Sequence, residues 1–356
     1  MSLSFENTKL VFFAFLSVLF CDKIPPADAA SKDSDFFDVV SANFAVWDLN
    51  RDGILSGNEI ARALQDPACR GKAAAALAAL KTQERLDMRK DNRFSDFTLK
   101  EFEDLRTAYK LGGKPAVSLV KYYNNGIGKI EKQAPQLFKY GSPHITHIRQ
   151  GQTSDCYFLA PVASMTEQRS EELVRMIEPN RDDTFTVRLK HFEPIVLAAP
   201  TEAEIATYTD AGDDGIWLML LEKAYATVKA SSKNIDMVEE LDVTALHGGN
   251  SGRVIYYLTG HKSKHFKFSD PLLRDGIRGV IKEAFARHRL VTTGVPGHCL
   301  AVLRYDEPSD SVLIWNPWGS TRLYKAVGMK MEHGYFWISL SDFVQRFSGI
   351  TVENEE

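Results

Sequence analysis

Three residues between positions 150 and 320 have the types and the spacing of a cysteine nucleophile with a base and an orienting group. Cys156 follows the turn-like run Gly151–Asp155 and opens an apolar stretch, which predicts that it begins a helix. A helix N-terminus favours the thiolate, the nucleophilic form of cysteine. His298 lies 142 residues further along, within the roughly 130–150 residues that separate nucleophile and base in one large class of cysteine hydrolases. With Asn316 to orient the base, the set predicts nucleophilic catalysis.

His298 and Asn316 are predicted on the two strands of one hairpin. Apolar patterning indicates strands over His298–Tyr305 and Val312–Asn316. A five-residue loop over 305–309 would set residue 298 directly opposite residue 316, with their Cβ atoms about 5 Å apart. The neutral Asn amide can then orient the imidazole without competing for a Cys–His ion pair.

The segment 150–160 (QGQTSDCYFLA) resembles the catalytic motif of the calpains. Further segments resemble calpain landmarks in the same order: 217–226 (WLMLLEKAYA), 245–249 (ALHGG), Gly297-His298, 316–319 (NPWG), and 336–339 (FWIS) followed by Asp342-Phe343. The resemblance covers about residues 130–350. It implies an α+β fold, a papain-like core whose two subdomains, about 136–250 and 251–350, flank a cleft.

The resemblance also implies a role for each site residue. Cys156 would be the nucleophile, His298 the base and Asn316 the orienting group. Gln150 would form the oxyanion hole with the Cys156 backbone N–H, and one such preplaced donor contributes ~3 kcal/mol to the transition state. By the same resemblance, Gly249 and Gly297 would hydrogen-bond the substrate backbone. Trp318 would shield the His–Asn hydrogen bond from water.

Three positions near the nucleophile depart from the calpain pattern. Ser154 stands where the family carries Gly, and Tyr157 stands where it carries Trp. Pro161 replaces an Ala within the predicted helix. A proline beyond the first turn removes a backbone donor and kinks the helix or costs it ~3 kcal/mol.

Residues 48–59 match a calcium-binding EF-hand loop at every position. Gly53 permits the sharp turn at the sixth position, and a hard cation prefers oxygen ligands of this kind. The predicted Ca²⁺ ligands supply side-chain oxygens or, at position 7, a backbone carbonyl: Asp48, Asn50, Asp52, Ile54, Ser56 and Glu59.

A second hand is predicted to pack beside the first without binding calcium. Counting back from Glu101 places Lys90 at the first position of its loop and Phe94 at the fifth, and neither side chain ligates calcium. We therefore expect one calcium site in this domain.

The sequence also predicts little or no calcium binding in the catalytic core. The resemblance implies calcium sites in the core, because calpains bind calcium there through acidic residues beside two aromatic–Trp landmarks. Here Gly215 precedes Ile216-Trp217, and residues 333–335 (HGY) precede Phe336-Trp337. The nearby acids are out of register, and losing carboxylate ligands weakens a calcium site; they are Asp213, Asp214 and Glu332.

The first 29 residues predict a secretory signal peptide. Leu10–Cys21 is an apolar run of twelve residues, shorter than the ~20 that a membrane-spanning helix needs. Ala27-Asp28-Ala29 resembles a cleavage site. We expect a secreted or extracytoplasmic protein cut after Ala29, with no stable membrane span, and the alternative is a short uncleaved anchor. Cleavage would leave an odd number of cysteines, so at least one thiol has no intramolecular disulfide partner.

The rest of the chain is predicted as a helical domain, a linker and the catalytic domain. The helical domain spans 33–110, and Phe37, Val40, Phe44 and Trp47 share one face of its first helix. Residues 111–135, with several Gly and Asn, predict a linker with turns. The catalytic domain follows over 136–350. Further helices are predicted at Lys72–Arg85, from near Leu99, and at Cys156–Ile177, Trp217–Val228 and Leu272–Arg289, with a strand at Thr184–Lys190.

Composition limits the class of protein. Of 356 residues, 44% are hydrophobic and 25% are charged, which excludes a disordered or fibrous chain. The net charge of −4 does not match the strongly basic charge of a nucleic-acid-binding protein, so no nucleic-acid partner is expected. The composition carries no signal for oligomeric state.

We therefore expect a secreted calpain-like cysteine endopeptidase that acts on protein or peptide substrates and binds calcium at an N-terminal EF-hand. Two alternatives remain. One is a non-catalytic, calcium-sensing binding module on a degenerate protease fold. The other is a transglutaminase-type acyltransferase, which would need a carboxylate where Asn316 stands.

Overall fold

The computed structural model describes residues 34–91, 97–151, 154–209, 211–231, 249–319 and 333–354. The predicted signal peptide lies outside these residues. Within them, no helix is long and apolar enough to cross a membrane.

The N-terminal part contains two units, each with a helix, a short strand and a second helix. The first unit contains α1 (Phe36–Trp47), β1 (Ile54–Leu55) and α2 (Gly57–Leu64). The second contains α3 (Gly71–Asp91), β2 (Phe97–Thr98) and α4 (Leu99–Lys110). β1 and β2 pair antiparallel, with Leu55 opposite Phe97. The predicted apolar face of α1 is buried along its whole length, so this periodicity prediction is confirmed.

The segment predicted as a linker with turns forms a helix instead, α5 (Lys114–Lys132). Its glycines and asparagines predicted turns, but the helix packs against α3 and against α7 (Glu202–Thr207). A Cβ at position 126 would lie 3.3 Å from the Cβ atoms of Ala75 and Ala206. Gly126 therefore permits close helix packing, and tertiary contact outweighs its low helix propensity.

The next part of the chain is built on a long helix, α6 (Cys156–Met176). The elements that follow it are a three-stranded sheet of β3 (Ile177–Pro179), β4 (Thr184–Val187) and β5 (Ile195–Ala198), then α8 (Trp217–Ser231) and α9 (Ser251–Thr259). Their shared apolar core includes Phe158, Trp217 and Ile255, all fully buried. This core fixes the direction of α6 and thereby the position of its first residue.

Pro161 does not interrupt α6. The residue with non-helical dihedral angles inside this helix is Arg169, at φ −151° and ψ 51°. The Arg169 guanidinium donates to Oε2 of Glu353 at 2.6 Å. The helix therefore has no kink at Pro161, which was one of the two effects expected of this proline. The irregular residue, Arg169, lies more than one turn beyond it.

A six-stranded antiparallel sheet forms the C-terminal part, in the order β10-β9-β8-β7-β11-β6. Its strands are β6 (Lys262–Lys267), β7 (Val291–Val295), β8 (His298–Asp306), β9 (Ser311–Trp315), β10 (Tyr335–Ser339) and β11 (Gly349–Asn354). The helices α10 (Pro271–Ala286) and α11 (Leu340–Arg346) contribute to its apolar core, which includes Ile281, Ile314 and Phe343. Helices and an antiparallel sheet together match the α+β class expected from the sequence.

Candidate active site

Cys156 is the first residue of α6, as its sequence context predicts. The Asp155 carbonyl accepts the backbone N–H groups of Phe158 at 2.7 Å and Leu159 at 3.0 Å, which closes the first turn of the helix. The Cys156 sulfur accepts the backbone N–H of Cys299, the residue that follows His298. The fold thus brings the start of α6 to the start of β8.

The thiol of Cys156 is not activated by its position alone. Burial raises the pKa of this thiol above its ordinary value. The hydrogen bond from Cys299 opposes that rise, and the neighbouring Asp155 carboxylate adds to it. Burial thus opposes the thiolate that a helix N-terminus favours.

His298 is 6% exposed and lies at the first position of β8. Its Nε2 lies 2.7 Å from Oδ1 of Asn316. Because an amide oxygen only accepts hydrogen bonds, Nε2 carries the proton, and in the neutral ring Nδ1 keeps a free lone pair. Nδ1 is buried and has no hydrogen-bond partner among the described residues. Burial lowers the pKa of His298, and the bond to Asn316 partly opposes this.

His298 and Asn316 meet, but the register predicted for them is wrong. The pairs between β8 and β9 run from Ala301 opposite Trp315 to Asp306 opposite Ser311, with a bulge between Val302 and Arg304. His298 lies before the first of these pairs, and its strand partner is Val295 on the opposite neighbour, β7. Apolar alternation does not reveal the bulge or the turn length. A bulge shifts the pairing of all residues beyond it, while both strands still read as apolar segments.

Asn316 is placed by the segment just after β9. Its backbone N–H donates to the carbonyl of Gly334 at 3.0 Å, and its Oδ1 also accepts the backbone N–H of Trp318 at 3.1 Å. The Trp318 ring stacks on the His298 ring, with centroids 3.7 Å apart and planes at 21°. The indole therefore covers one face of the imidazole beside the His–Asn hydrogen bond.

The remaining candidate residues lie on loops next to these groups. The backbone N–H of Gln150 donates to the carbonyl of Pro317 at 3.1 Å, which attaches the Gln150 loop to the segment after Asn316. A Cβ at Gly249 would overlap the ring of Tyr157, the residue after Cys156, so only glycine fits there. Gly297 has φ +76°, a conformation that glycine adopts without strain, directly before His298.

The EF-hand-like loop is folded by hydrogen bonds to its own carboxylates. Asp48 accepts the backbone N–H groups of Asp52 and Gly53 at 3.2 and 2.9 Å, and Gly53 has φ +81°. Glu59 accepts the N–H of Leu49 at 2.8 Å and forms a capping box with Ser56. These oxygen donors suit a hard cation chemically. However, the described residues contain no group of three or more His, Cys, Asp or Glu side chains arranged to hold a metal.

Two of the three out-of-register acids of the core are bound to other protein groups. Asp213 accepts from Nζ of Lys139 at 2.9 Å and from the hydroxyl of Tyr140 at 2.6 Å. Asp214 accepts the backbone N–H of His144 at 2.7 Å. Glu332 lies outside the described residues, as does Phe94 of the second hand.

Sequence reasoning missed a buried polar cluster next to Cys156. Asp155, Thr209 and Glu222 are each fully buried. Glu222 is not among the site residues that the sequence predicts. A glutamate inside the run WLMLLEKAYA was the available signal, since a buried acid needs a specific partner.

Comparison with known proteins places these features in one family. The calpain family cysteine protease description matches residues 127–326. Rat calpain-8 is 26% identical over an alignment of 276 residues, and the match covers 62% of this chain and 37% of the rat protein. Human calpain-9 is 23% identical over an alignment of 333 residues, and the match covers 74% of this chain and 46% of the human protein. The rice calpain-type cysteine protease ADL1 is 27% identical over an alignment of 259 residues, and the match covers 61% of this chain and 12% of the rice protein. The aligned region thus spans less than half the length of each of these relatives.

Proposed function

Because this chain belongs to the calpain family of cysteine proteases, we propose that it is an endopeptidase that hydrolyses peptide bonds in protein substrates through Cys156. The observation that carries the proposal is the 2.7 Å contact from Nε2 of His298 to Oδ1 of Asn316. That contact leaves Nδ1 as the basic nitrogen, and the next residue, Cys299, donates its backbone N–H to the Cys156 sulfur.

These groups support acyl transfer in two halves. Nδ1 of His298 accepts the Cys156 proton as the sulfur attacks the peptide carbonyl carbon, and the imidazolium then protonates the leaving amine. Water hydrolyses the resulting thioester with His298 again as the base. The carbonyl oxygen, negative in each tetrahedral intermediate, accepts hydrogen bonds from the Cys156 backbone N–H and the Gln150 amide. Gly249 and Gly297 hydrogen-bond the substrate backbone in this proposal.

We further propose that calcium binds to the loop 48–59 and poorly or not at all in the core. Asp48, Asn50, Asp52, Ile54, Ser56 and Glu59 would supply the oxygen ligands. Calcium takes no chemical part in this scheme; it would stabilise the N-terminal helices as a ligand of the native state. The contacts of Asp213 with Lys139 and Tyr140 support the second half of the proposal, because these groups occupy the carboxylate.

We also propose that the protein acts outside the cytoplasm, after residues 1–29 have been removed. The location is inferred from the apolar run Leu10–Cys21 and the Ala27-Asp28-Ala29 pattern alone. Cys69, Cys156 and Cys299 are free thiols in the structure, so none of them depends on an intramolecular disulfide.

Peptide hydrolysis by purified wild type and Cys156→Ala tests the proteolytic function. Wild type should cleave an unfolded protein substrate at internal bonds, and the variant should not. Iodoacetamide labelling followed by peptide mass mapping supplies an internal control, since burial raises the pKa of Cys69 to about 11 and that of Cys299 to about 12. Cys156 should react faster than either, because in this proposal Nδ1 of His298 accepts its proton. Equal labelling of the three thiols and no cleavage would favour the non-catalytic binding module, and peptide cross-linking without hydrolysis would favour the acyltransferase.

A further inference from the structure

A polar cavity lies beside the loop that carries Gln150. Its volume is about 740 Å³, and Gln150 and Gly151 form part of its wall. The rest of the wall comes from α3, α5, α7 and residues 212–213. Pockets that bind ligands commonly have volumes of ~300–1,000 Å³, so the cavity has room for a side chain of a bound peptide. A group bound there would lie next to the residue proposed to complete the oxyanion hole.

One backbone carbonyl connects α5 with the Gln150 loop. Nζ of Lys129, on α5, donates to the carbonyl oxygen of Tyr208 at 2.6 Å. A Cβ at Gly151 would lie 2.4 Å from the same oxygen, which is closer than real Cβ atoms approach. The helix and the loop therefore both contact Tyr208, and the fold sets the width of the cavity between them.

One face of α5 lines the cavity with hydrogen-bond donors. The lining residues of this helix recur at intervals of three and four, which places them on one side; they are Asn125, Gly128, Lys129, Lys132 and Gln133. Ammonium and amide groups donate hydrogen bonds, and an ammonium group also carries a positive charge. A lining of this kind favours an anionic hydrogen-bond acceptor.

Among the described residues, the charged groups of the lining are Lys129, Lys132 and Asp213. The Asp213 carboxylate accepts from Nζ of Lys139 at 2.9 Å and from the hydroxyl of Tyr140 at 2.6 Å, so its charge is already matched. Lys132 is exposed and forms no ion pair within the part of the chain that the structure describes. Its ammonium group is therefore available to an anion that enters the cavity.

Gly128 leaves the cavity open. Glycine disfavours a helix relative to other residues, and α5 contains two glycines in its middle turns. Gly126 permits close packing, since a Cβ there would contact Ala75 and Ala206. A Cβ at Gly128 would have no described atom within 4 Å. Packing therefore does not require glycine at position 128, whereas a longer side chain there would occupy the cavity.

We propose that this cavity is a substrate subsite for an acidic side chain, with Lys132 as the residue that selects it and Asn125 as a further donor. The inference rests on the proposed proteolytic function. It names a substrate class for that site, peptides with Asp or Glu near the bond that is cleaved. The carboxylate would form a charge-assisted hydrogen bond with Lys132, which is stronger than a bond between neutral groups.

The test measures how the charge of one substrate side chain changes the rate. Wild type cleaves an unfolded protein, and mass spectrometry identifies an internal bond. Fluorogenic peptides around that bond then carry either Glu or Gln at each position in turn, so that the members of a pair differ in charge and hardly in size. The measured ratio is kcat/KM for the Glu peptide over kcat/KM for the Gln peptide. For wild type it should reach about three to ten at one position or more, and it should approach one at high salt.

Three variants of the full chain locate the effect. Lys132→Glu should bring the ratio below one. Gly128→Leu should fill the cavity and bring the ratio close to one, with a Tm at or above that of wild type because leucine favours a helix. Lys121→Glu is the matched control, since it makes the same charge change at an exposed position of α5 outside the cavity. That variant should keep the wild-type ratio.

A second measurement needs no turnover. Fluorescence anisotropy compares the binding of a labelled Ala–Glu repeat peptide and a labelled Ala–Gln repeat peptide to Cys156→Ala, with and without Lys132→Glu or Lys121→Glu. The Ala–Glu peptide should bind several-fold more tightly, and Lys132→Glu alone should remove that difference.

The proposal is overturned if the wild-type ratio is close to one at every position, if Lys132→Glu keeps the wild-type ratio, or if Lys121→Glu changes it as much as Lys132→Glu does. A wild type that cleaves no peptide would refute the proteolytic function. In that case, tighter binding of the Ala–Glu peptide that depends on Lys132 would still support an acidic subsite, and equal binding of the two peptides would refute the subsite as well.

Discussion

Nε2 of His298 lies 2.7 Å from Oδ1 of Asn316, although these residues are not partners across the sheet. The bond assigns the proton of the neutral imidazole to Nε2 and leaves Nδ1 as the acceptor. Oδ1 is itself held by the backbone N–H of Trp318. The orientation of the His298 ring therefore depends on the loop after β9 and not on strand pairing.

His298 and Asn316 should contribute unequally to the rate. His298→Ala removes the base, and kcat should fall by roughly 10²- to 10⁴-fold. Asn316→Ala only loosens the imidazole, so a measurable rate should survive. Steady-state kinetics on both variants, with folding checked by circular dichroism, provides the comparison. An Asn316→Ala enzyme as fast as wild type would contradict the orienting role.

Trp318 should protect the His–Asn hydrogen bond from water. Trp318→Ala should lower kcat by about tenfold, because a solvated hydrogen bond holds the ring less firmly. Trp337→Ala is the matched control, since Trp337 on β10 is exposed to the same extent, 48%. That variant should keep the wild-type rate. If both tryptophans mattered equally, the stacking on His298 would not be the cause.

The stability of the protein should fall at acid pH partly because of His298. Its pKa is lowered in the folded state by burial, so the unfolded chain binds a proton that the folded chain does not. This contribution is fully present above the ordinary histidine pKa of about 6.5, and it is lost as the pH falls toward the lowered folded value. Urea unfolding of wild type and His298→Gln at several pH values measures it. The variant should lose less free energy of unfolding between neutral and acid pH, and equal slopes would show that His298 does not contribute.

Calcium binding should depend on Glu59 and not on Glu101. Both glutamates form capping boxes at the start of the second helix of their unit, with Ser56 and Thr98 respectively. Gln also serves in a capping box, so Glu59→Gln removes charge with little effect on the helix. Calorimetric titration should show one binding event for wild type and Glu101→Gln, and a much weaker event for Glu59→Gln. A second event that survives in Glu59→Gln would place calcium elsewhere, including in the core.

The sequence alone was enough for features that depend on local pattern. The buried face of α1 follows from 3-4-3 spacing, and the start of α6 at Cys156 follows from a turn-like run before an apolar stretch. The sequence also predicts Cys156, His298 and Asn316 as one catalytic set, and the structure shows the contact between His298 and Asn316.

Tertiary structure decided what depends on contacts between distant segments. Helix α5 exists because Gly126 packs against Ala75 and Ala206, which no local propensity shows. The His298–Asn316 contact arises from a bulge and a loop whose effect on register the apolar pattern does not contain. The protonation of Cys156 and Glu222 depends on burial and on Asp155, because the pKa of an acid responds to the surroundings that the folded chain places around it.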